Sequence, residues 1–384
     1  MESEKVNEYV VNLRRYFHEN PELSFNEFGT ADRIEKELNY MGLTCRRIGK
    51  TGIACDINGF EKGKTVALRA DMDALPVLEE VEVPFMSRNK GIMHACGHDA
   101  HTAMLLGAAK LLVENRASFK GTVRLIFQAA EETTPGGAID FIKADELRGV
   151  SAIVGQHVTS LMPSGTVAAY PGRAMAGSDE FRIRIIGKGG HGSDPSNSID
   201  ALVIASYFVD AAQAIVSRMI PTFNPAVVTF GTFNSGYRFN IIAQYADLTG
   251  TVRSFDDEIR AKVRSSLERL LSGICNSYGA TYEFNYLEGY PVVVNDPVID
   301  STVEEVAKTV VGAKNVFHPD PIMGSEDFSY YLKEVPGAFF FLGVGNQKKG
   351  IVSPNHSPTF KIDEDAMKYG VEILYRSALK LLGV

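Results

Sequence analysis

Cysteine is scarce: Cys45, Cys55, Cys96 and Cys275 are the only four in 384 residues, and they are scattered. That spacing is not a disulfide framework, and it suits a reducing, cytoplasmic setting. No Lys/Arg run is present and the formal net charge is −8, which argues against nucleic acid as a partner. No apolar run looks long enough to span a bilayer, so no membrane partner is expected. The charged opening, Met1-Glu-Ser-Glu-Lys5, lacks the apolar stretch of a signal peptide. Internal repeats and low-complexity segments are absent. The glycine-rich residues 187–193 lack the Gly-Lys-Ser/Thr ending of a phosphate loop, and no Gly-x-Ser-x-Gly elbow occurs.

What remains is an ordinary globular mixture, 45% hydrophobic and 22% charged. Single cores stop growing near about 250–300 residues, so two domains are the first expectation. Val6, Tyr9, Val10, Leu13, Tyr16 and Phe17 recur at helical spacing, and Asn20-Pro21 ends that helix. Residues 30–41 repeat the pattern. Residues 65–69, 122–130 and 151–154 are short apolar strands, and the spacing predicts that each stops at polar groups: Asp71 and Asp73, then Glu131 and Glu132, then His157. Helices between the later strands imply a mostly parallel sheet covered by helices. In such α/β sheets, ligands sit beyond the carboxyl ends of the strands.

From residue 178 the style changes. Strands over 181–186, 227–233, 243–252 and 281–286 and helices over 199–215 and 256–275 give the order β-α-β-β-α-β, a ferredoxin-like α+β unit. The α/β style then returns, with a helix over 303–311, a strand over 338–344 and a closing helix from about 363 to 382. The expectation is one α/β domain from 1–177 and 291–384, with 178–290 inserted.

Met93-His94-Ala95-Cys96-Gly97-His98-Asp99-Ala100-His101 packs a thiol, three imidazoles and a carboxylate into nine residues ahead of an apolar helical run. Thiolate and imidazole together, at Cys96 and His98, suit a zinc-like ion. Adjacent residues on extended chain point opposite ways, so in the Glu131-Glu132 pair one carboxylate can ligate while the other serves as general base. His157 and His356, expected in loops at the rim, bring the candidate ligands to five with Cys96, His98 and Glu132. Five suit two ions with a bridging thiolate or carboxylate. A cysteine hydrolase using Cys96 is the alternative, although it leaves Glu131, Glu132, His157 and His356 without a task. A non-catalytic metal- or carboxylate-binding protein is a third reading.

Ala95-Cys-Gly-His-Asp-Ala-His101, Ala130-Glu-Glu132, Arg69-Ala-Asp-Met-Asp-Ala-Leu-Pro76, Gly324-Ser-Glu-Asp-Phe328, Asn355-His356 and Arg15-x-x-His18-x-x-Pro21-Glu22-Leu23 occur together. In this combination the chain resembles the two-metal aminoacylase/carboxypeptidase family. The branch it resembles holds N-acyl-amino-acid amidohydrolases, hippurate hydrolases, indole-acetyl-amino-acid hydrolases and thermostable carboxypeptidases. The resemblance implies Cys96, His98, Glu132, His157 and His356 as ligands of two divalent ions, zinc with cobalt or manganese as alternatives. It implies Glu131 as general base and acid. It also makes the inserted unit a lid that pairs subunits into a homodimer or homotetramer, with His191 reaching the partner's site. Asn240 and Arg253 match positions that grip a substrate carboxylate. Much of the wider family has His-x-Asp where this chain has Asp71-Met-Asp73. Asp73 is therefore expected behind a ligand imidazole, with Asp71 left unassigned. The implied substrate is an N-acyl amino acid or a short peptide.

Overall fold

The structure is a computed structural model and describes residues 2–384. Its contacts separate two units, Met175–Val292 with Ile322–Glu326 forming the second and the remaining chain the first. The short piece Ile322–Glu326, expected with the α/β domain, thus goes with the inserted unit.

The first unit is built on an eight-stranded sheet. In spatial order the strands are Cys45–Ile48, Gly52–Asn58, Thr122–Gln128, Thr65–Asp71, Val150–Pro163, Gly337–Gly345, Val167–Ala168 and Val316–Phe317. The four central strands run parallel. Antiparallel pairings flank them on both sides. Burial explains the division. Gly337–Gly345 is buried at every residue, as a strand covered on both faces must be. The hairpin from Cys45 to Asn58 was missing from the expected elements, because its first strand is only four residues long and half of it is polar.

One expectation fails in an instructive way. The strand beginning at Val150 does not stop before His157 but runs on to Pro163. Its partner Gly337–Gly345 keeps parallel register past the polar residues, with His157 opposite Phe341. His157 is therefore a mid-strand residue rather than a loop histidine.

Helix His98–Glu114 is buried along nearly its whole length. It packs between Asn7–Glu19 and Met367–Leu382, as an all-round apolar helix must. Gly107 permits that approach: a Cβ there would meet Val10 Cγ2 at 2.5 Å and Val371 Cγ2 at 3.0 Å.

The second unit carries a four-stranded antiparallel sheet in the order Ala226–Ser235, Tyr245–Ser254, Gly177–Ile186, Thr281–Glu288. Helices Ala201–Ala214 and Asp257–Tyr278 complete the β-α-β-β-α-β order of a ferredoxin-like unit. Asp200 and Asp256 cap these helices through the amides of Leu202, Val203, Glu258 and Ile259. Phe181, Ile183, Ile185, Phe208, Leu248 and Leu267 lie in its core. Contrary to the sequence expectation, the helical stretch Ala201–Met219 is apolar and long enough to cross a membrane by length and composition, with only 28% of that stretch's apolar window buried. Ala201, Ile204, Ala205 and Phe208 face the core, while Leu202, Val203 and Tyr207 are exposed.

Gly107→Ala forces a methyl group into this close packing. The expected loss is about 1–3 kcal/mol, read as a lower urea midpoint for the α/β unit.

Candidate metal centre

The loop around Cys96 turns on Gly97, which sits at φ 93° directly before the helix. A Cβ at Gly97 would also lie 2.4 Å from Val158 Cγ2. Glycine therefore lets the chain leave Cys96 and enter the helix at His98 within one residue. A distant segment closes over this turn. Asn355 Nδ2 donates to the carbonyls of Cys96 at 3.0 Å and Val158 at 3.1 Å. The His356 amide donates to Ala95 O at 2.7 Å, and His356 itself has a positive φ of 69°.

The result is a cluster of donors. Cys96 Sγ lies 3.3 Å from His157 Nε2 and 3.3 Å from His356 Nε2. Glu132 Oε1 is 3.3 Å from His356 Nε2 and 3.8 Å from His98 Nε2. Within the sets Cys96–His98–His157, Cys96–Glu132–His356 and His98–Glu131–Glu132, one ligand atom per residue lies within 4.8 Å of the others. All five expected ligands and Glu131 thus meet in one place, although residues 96 and 356 are far apart in the chain.

The donor chemistry fits divalent cations. Both partners of His98 Nδ1 are acceptors, the Asp73 carbonyl at 2.9 Å and its Oδ1 at 3.2 Å. The neutral ring therefore carries its proton on Nδ1 and presents the Nε2 lone pair. That buried Nε2 has no hydrogen-bond partner. His157 Nδ1 likewise donates to Val158 O at 2.7 Å, which turns Nε2 toward the thiol. The surroundings are anionic. Burial opposes charge on His98, yet Asp71 and Cys96 raise its pKa well above the usual imidazole range. His356 is pushed up to about 10 by Cys96 and Glu132. Burial and Glu132 push the Cys96 thiol up. A cation in the cluster would relieve each of these.

Two buried carboxylates hold the Glu131-Glu132 turn. Asp73 Oδ1 accepts from the Glu131 amide at 3.1 Å, and Oδ2 accepts from the Glu132 amide at 3.1 Å and Ser24 Oγ at 2.7 Å. Glu27, missed from the sequence, does the same one residue earlier. Its Oε1 accepts from the Ala130 amide at 2.9 Å and the Phe25 amide at 3.0 Å, while Oε2 accepts from Thr51 Oγ1 at 2.7 Å. Ala130 has φ 52°, a strained value for a residue with a Cβ, and Glu27 is its anchor.

Asp71 now has a place. It accepts from His101 Nδ1 at 2.6 Å and from Arg69 at 2.6 Å. His101 Nε2 in turn accepts from the Val158 amide at 2.8 Å, so this ring ties the helix to the backbone beside His157. Arg69 is wholly buried and reaches Asp327 at 2.8 Å and Gln128 at 3.0 Å. Below the loop, Asp99 accepts from Arg14 at 2.9 Å and His18 at 2.7 Å, and His18 Nε2 meets Glu79 at 3.0 Å. His101 was legible: it lies three residues after His98 on one helix. Glu27 carried no signal, because its partners come from residues 25, 51 and 130.

The other expected residues belong to the second unit. His191 is exposed, with Nδ1 2.7 Å from Ser193 Oγ, and pairs with Ile241 in a two-stranded ribbon. Asn240 lies next to Ile241. Its carbonyl accepts from the Gly192 amide at 2.9 Å, and its buried Oδ1 has no partner. Arg253 sits on the four-stranded sheet opposite Ser178 and Val227, half-buried, and bonds Thr251 Oγ1 and Val252 O of its own strand.

Glu27→Ala leaves two backbone amides without their acceptor. A loss of about 1–3 kcal/mol per unsatisfied buried group is expected, read as a lower denaturation midpoint, with Glu27→Gln less affected.

Three comparisons bear on this geometry. The description "Peptidase family M20/M25/M40" matches residues 67–380. The chain is similar to Thermostable carboxypeptidase 2 of Saccharolobus solfataricus, at 44% identity over 95% of this chain and 93% of that one. It is 40% identical to N-acetyl-L-cysteine deacetylase of Bacillus subtilis, over 97% and 88%. A dinuclear metal-binding peptidase of the M20 family from Bacillus subtilis, the YXEP protein, has a similar structure: TM-score 0.86, 35% identity, 99% of each chain covered. The chain belongs to peptidase family M20/M25/M40 and is a metal-dependent hydrolase.

Proposed function

We propose that the protein is an amidohydrolase that uses two divalent cations to cleave an amide whose amine half carries a free carboxylate. The substrate is an N-acyl amino acid or the C-terminal peptide bond of a short peptide. One observation carries the reading: Cys96 Sγ stands 3.3 Å from both His157 Nε2 and His356 Nε2, with Glu132 Oε1 also 3.3 Å from His356. Cys96 and Glu132 each belong to two of the donor sets. His98, His157, Glu132 and His356 would complete the ligands. Zinc is the ion such donors favour, with cobalt and manganese as alternatives. Bound cations supply Lewis acidity at the carbonyl and lower the pKa of a water molecule.

The chain's own groups do the rest. Glu131 takes the proton of the attacking water and passes it to the leaving nitrogen. Asp73 holds its backbone amide in place. Arg253 and Asn240 are the proposed grip on the substrate carboxylate, a guanidinium fork being suited to that partner. His191 of the partner subunit is the proposed donor to the oxyanion. Pairing of subunits through the second unit is supported by the exposed Leu202, Val203 and Tyr207, which leave one helix face uncovered. The relatives described as carboxypeptidase and deacetylase share this chemistry, since both act on amides flanked by a carboxylate. Use of Cys96 as a nucleophile is the weaker reading, because burial and Glu132 raise its pKa where a nucleophilic thiol needs a low one.

Glu131→Gln is expected to lower kcat at least about 100-fold on acetyl- and benzoyl-amino acids and blocked peptides, while bound metal per chain is unchanged. Normal turnover in that variant refutes the role. Activity that survives chelation and metal analysis at zero favours the thiol. Replacing Val203 and Tyr207 together by aspartate should convert the paired species to monomer in sedimentation.

A further inference from the structure

Two of the four cysteines lie outside the proposed chemistry and face each other. Cys45 opens the edge strand Cys45–Ile48, and Cys55 lies in its neighbour Gly52–Asn58. The antiparallel register puts Cys45 directly opposite Cys55. Residues directly opposite in such a ladder have Cα atoms about 4.5–5.5 Å apart, inside the about 4.4–6.8 Å that a disulfide spans. Residues directly opposite in a ladder point to the same face, and the Cys55 thiol donates to the Thr44 carbonyl at 3.5 Å, next to Cys45. Their accessibility differs. Cys45 is half-buried and Cys55 fully buried. The Cys55 thiol beside it lowers the Cys45 pKa below that of a free thiol.

We propose that Cys45 and Cys55 form a reversible dithiol–disulfide site that reacts with low-molecular-weight disulfides. Cys45 is the attacking thiol because it is the one that solvent reaches. Its thiolate attacks one sulfur of oxidised glutathione, whose S–S bond breaks and releases one glutathione thiolate. Cys55 then gives up its proton and attacks the Cys45 sulfur, expelling the second glutathione. Two protein thiols become one disulfide, and one glutathione disulfide becomes two glutathione thiols, so electrons and protons balance. The product closes a short ring across the hairpin at the sheet edge. The turn of that hairpin carries Thr51, which donates to Glu27, so oxidation covalently ties the hairpin on which this contact is carried. Cys96 stands between two imidazoles, and Cys275 lies in the core of the second unit.

The test uses the metal-loaded native chain, incubated with oxidised glutathione and then digested with trypsin without reduction. The expected product is residues 37–46 linked to residues 51–62, two hydrogens lighter than their sum, while Cys96 and Cys275 stay free. Dithiothreitol should restore both peptides. In Cys55→Ser, Cys45 should end as the glutathione adduct. In Cys45→Ser, Cys55 should remain unmodified. Both thiols recovered free from the wild-type chain, or Cys45 capped by glutathione beside a free Cys55, overturns the proposal. The wild-type measurement decides the matter even where a variant folds poorly, and it is independent of whether Glu131 is the catalytic base.

Discussion

The candidate centre depends on one buried carboxylate. Asp73 accepts from His98 Nδ1 and from the amides of Glu131 and Glu132, and it also holds Ser24. Burial opposes its charge, but His98 and Ser24 hold its pKa below the usual carboxylate range. It thus orients an imidazole and a two-glutamate turn with the same two oxygens. A shift in this one side chain would move a donor ring and both neighbouring carboxylates together. Such shared anchoring is how an outer group sets the geometry of a site.

A second buried network supports the first. Arg69, Asp71 and Gln128 of the sheet, His101 of its covering helix and Asp327 of a later turn are joined by hydrogen bonds. The buried Arg69 charge is offset by Asp71 and Asp327. His101 extends this network to the Val158 amide and so fixes the backbone next to His157. The parallel strands therefore deliver their side chains to the site at defined height. Packing of the apolar helix His98–Glu114 through Gly107 sets where that helix begins, and hence where His98 stands.

The second unit is stable on other grounds. Its sheet and two helices enclose their own apolar core, and its helix ends are capped by aspartates. It nevertheless leaves Leu202, Val203, Tyr207, Tyr237 and Phe239 exposed. Leu202, Tyr237 and Phe239 line one hollow of its surface. His191 and Asn240 lie at the ribbon beside this surface.

The sequence by itself determined the parts that rest on local pattern. Helical spacing pointed to the helix Asn7–Glu19 and to the second half of Pro297–Val311, and the expected strands 181–186, 227–233, 243–252 and 281–286 overlap the four of the inserted unit. The nine residues from Met93 to His101 announced the site, because so many donors rarely share so short a stretch. Only the tertiary structure decided the rest. His157 became a mid-strand residue because its partner strand held register past it. Asp71, Glu27 and Asp327 gained their places through partners 30 or more residues away. Cys45 and Cys55, scattered in the chain, became a pair because a hairpin too short and polar to stand out set them opposite each other. Periodicity is written between neighbours, whereas register and burial arise between segments that meet only when the chain has folded.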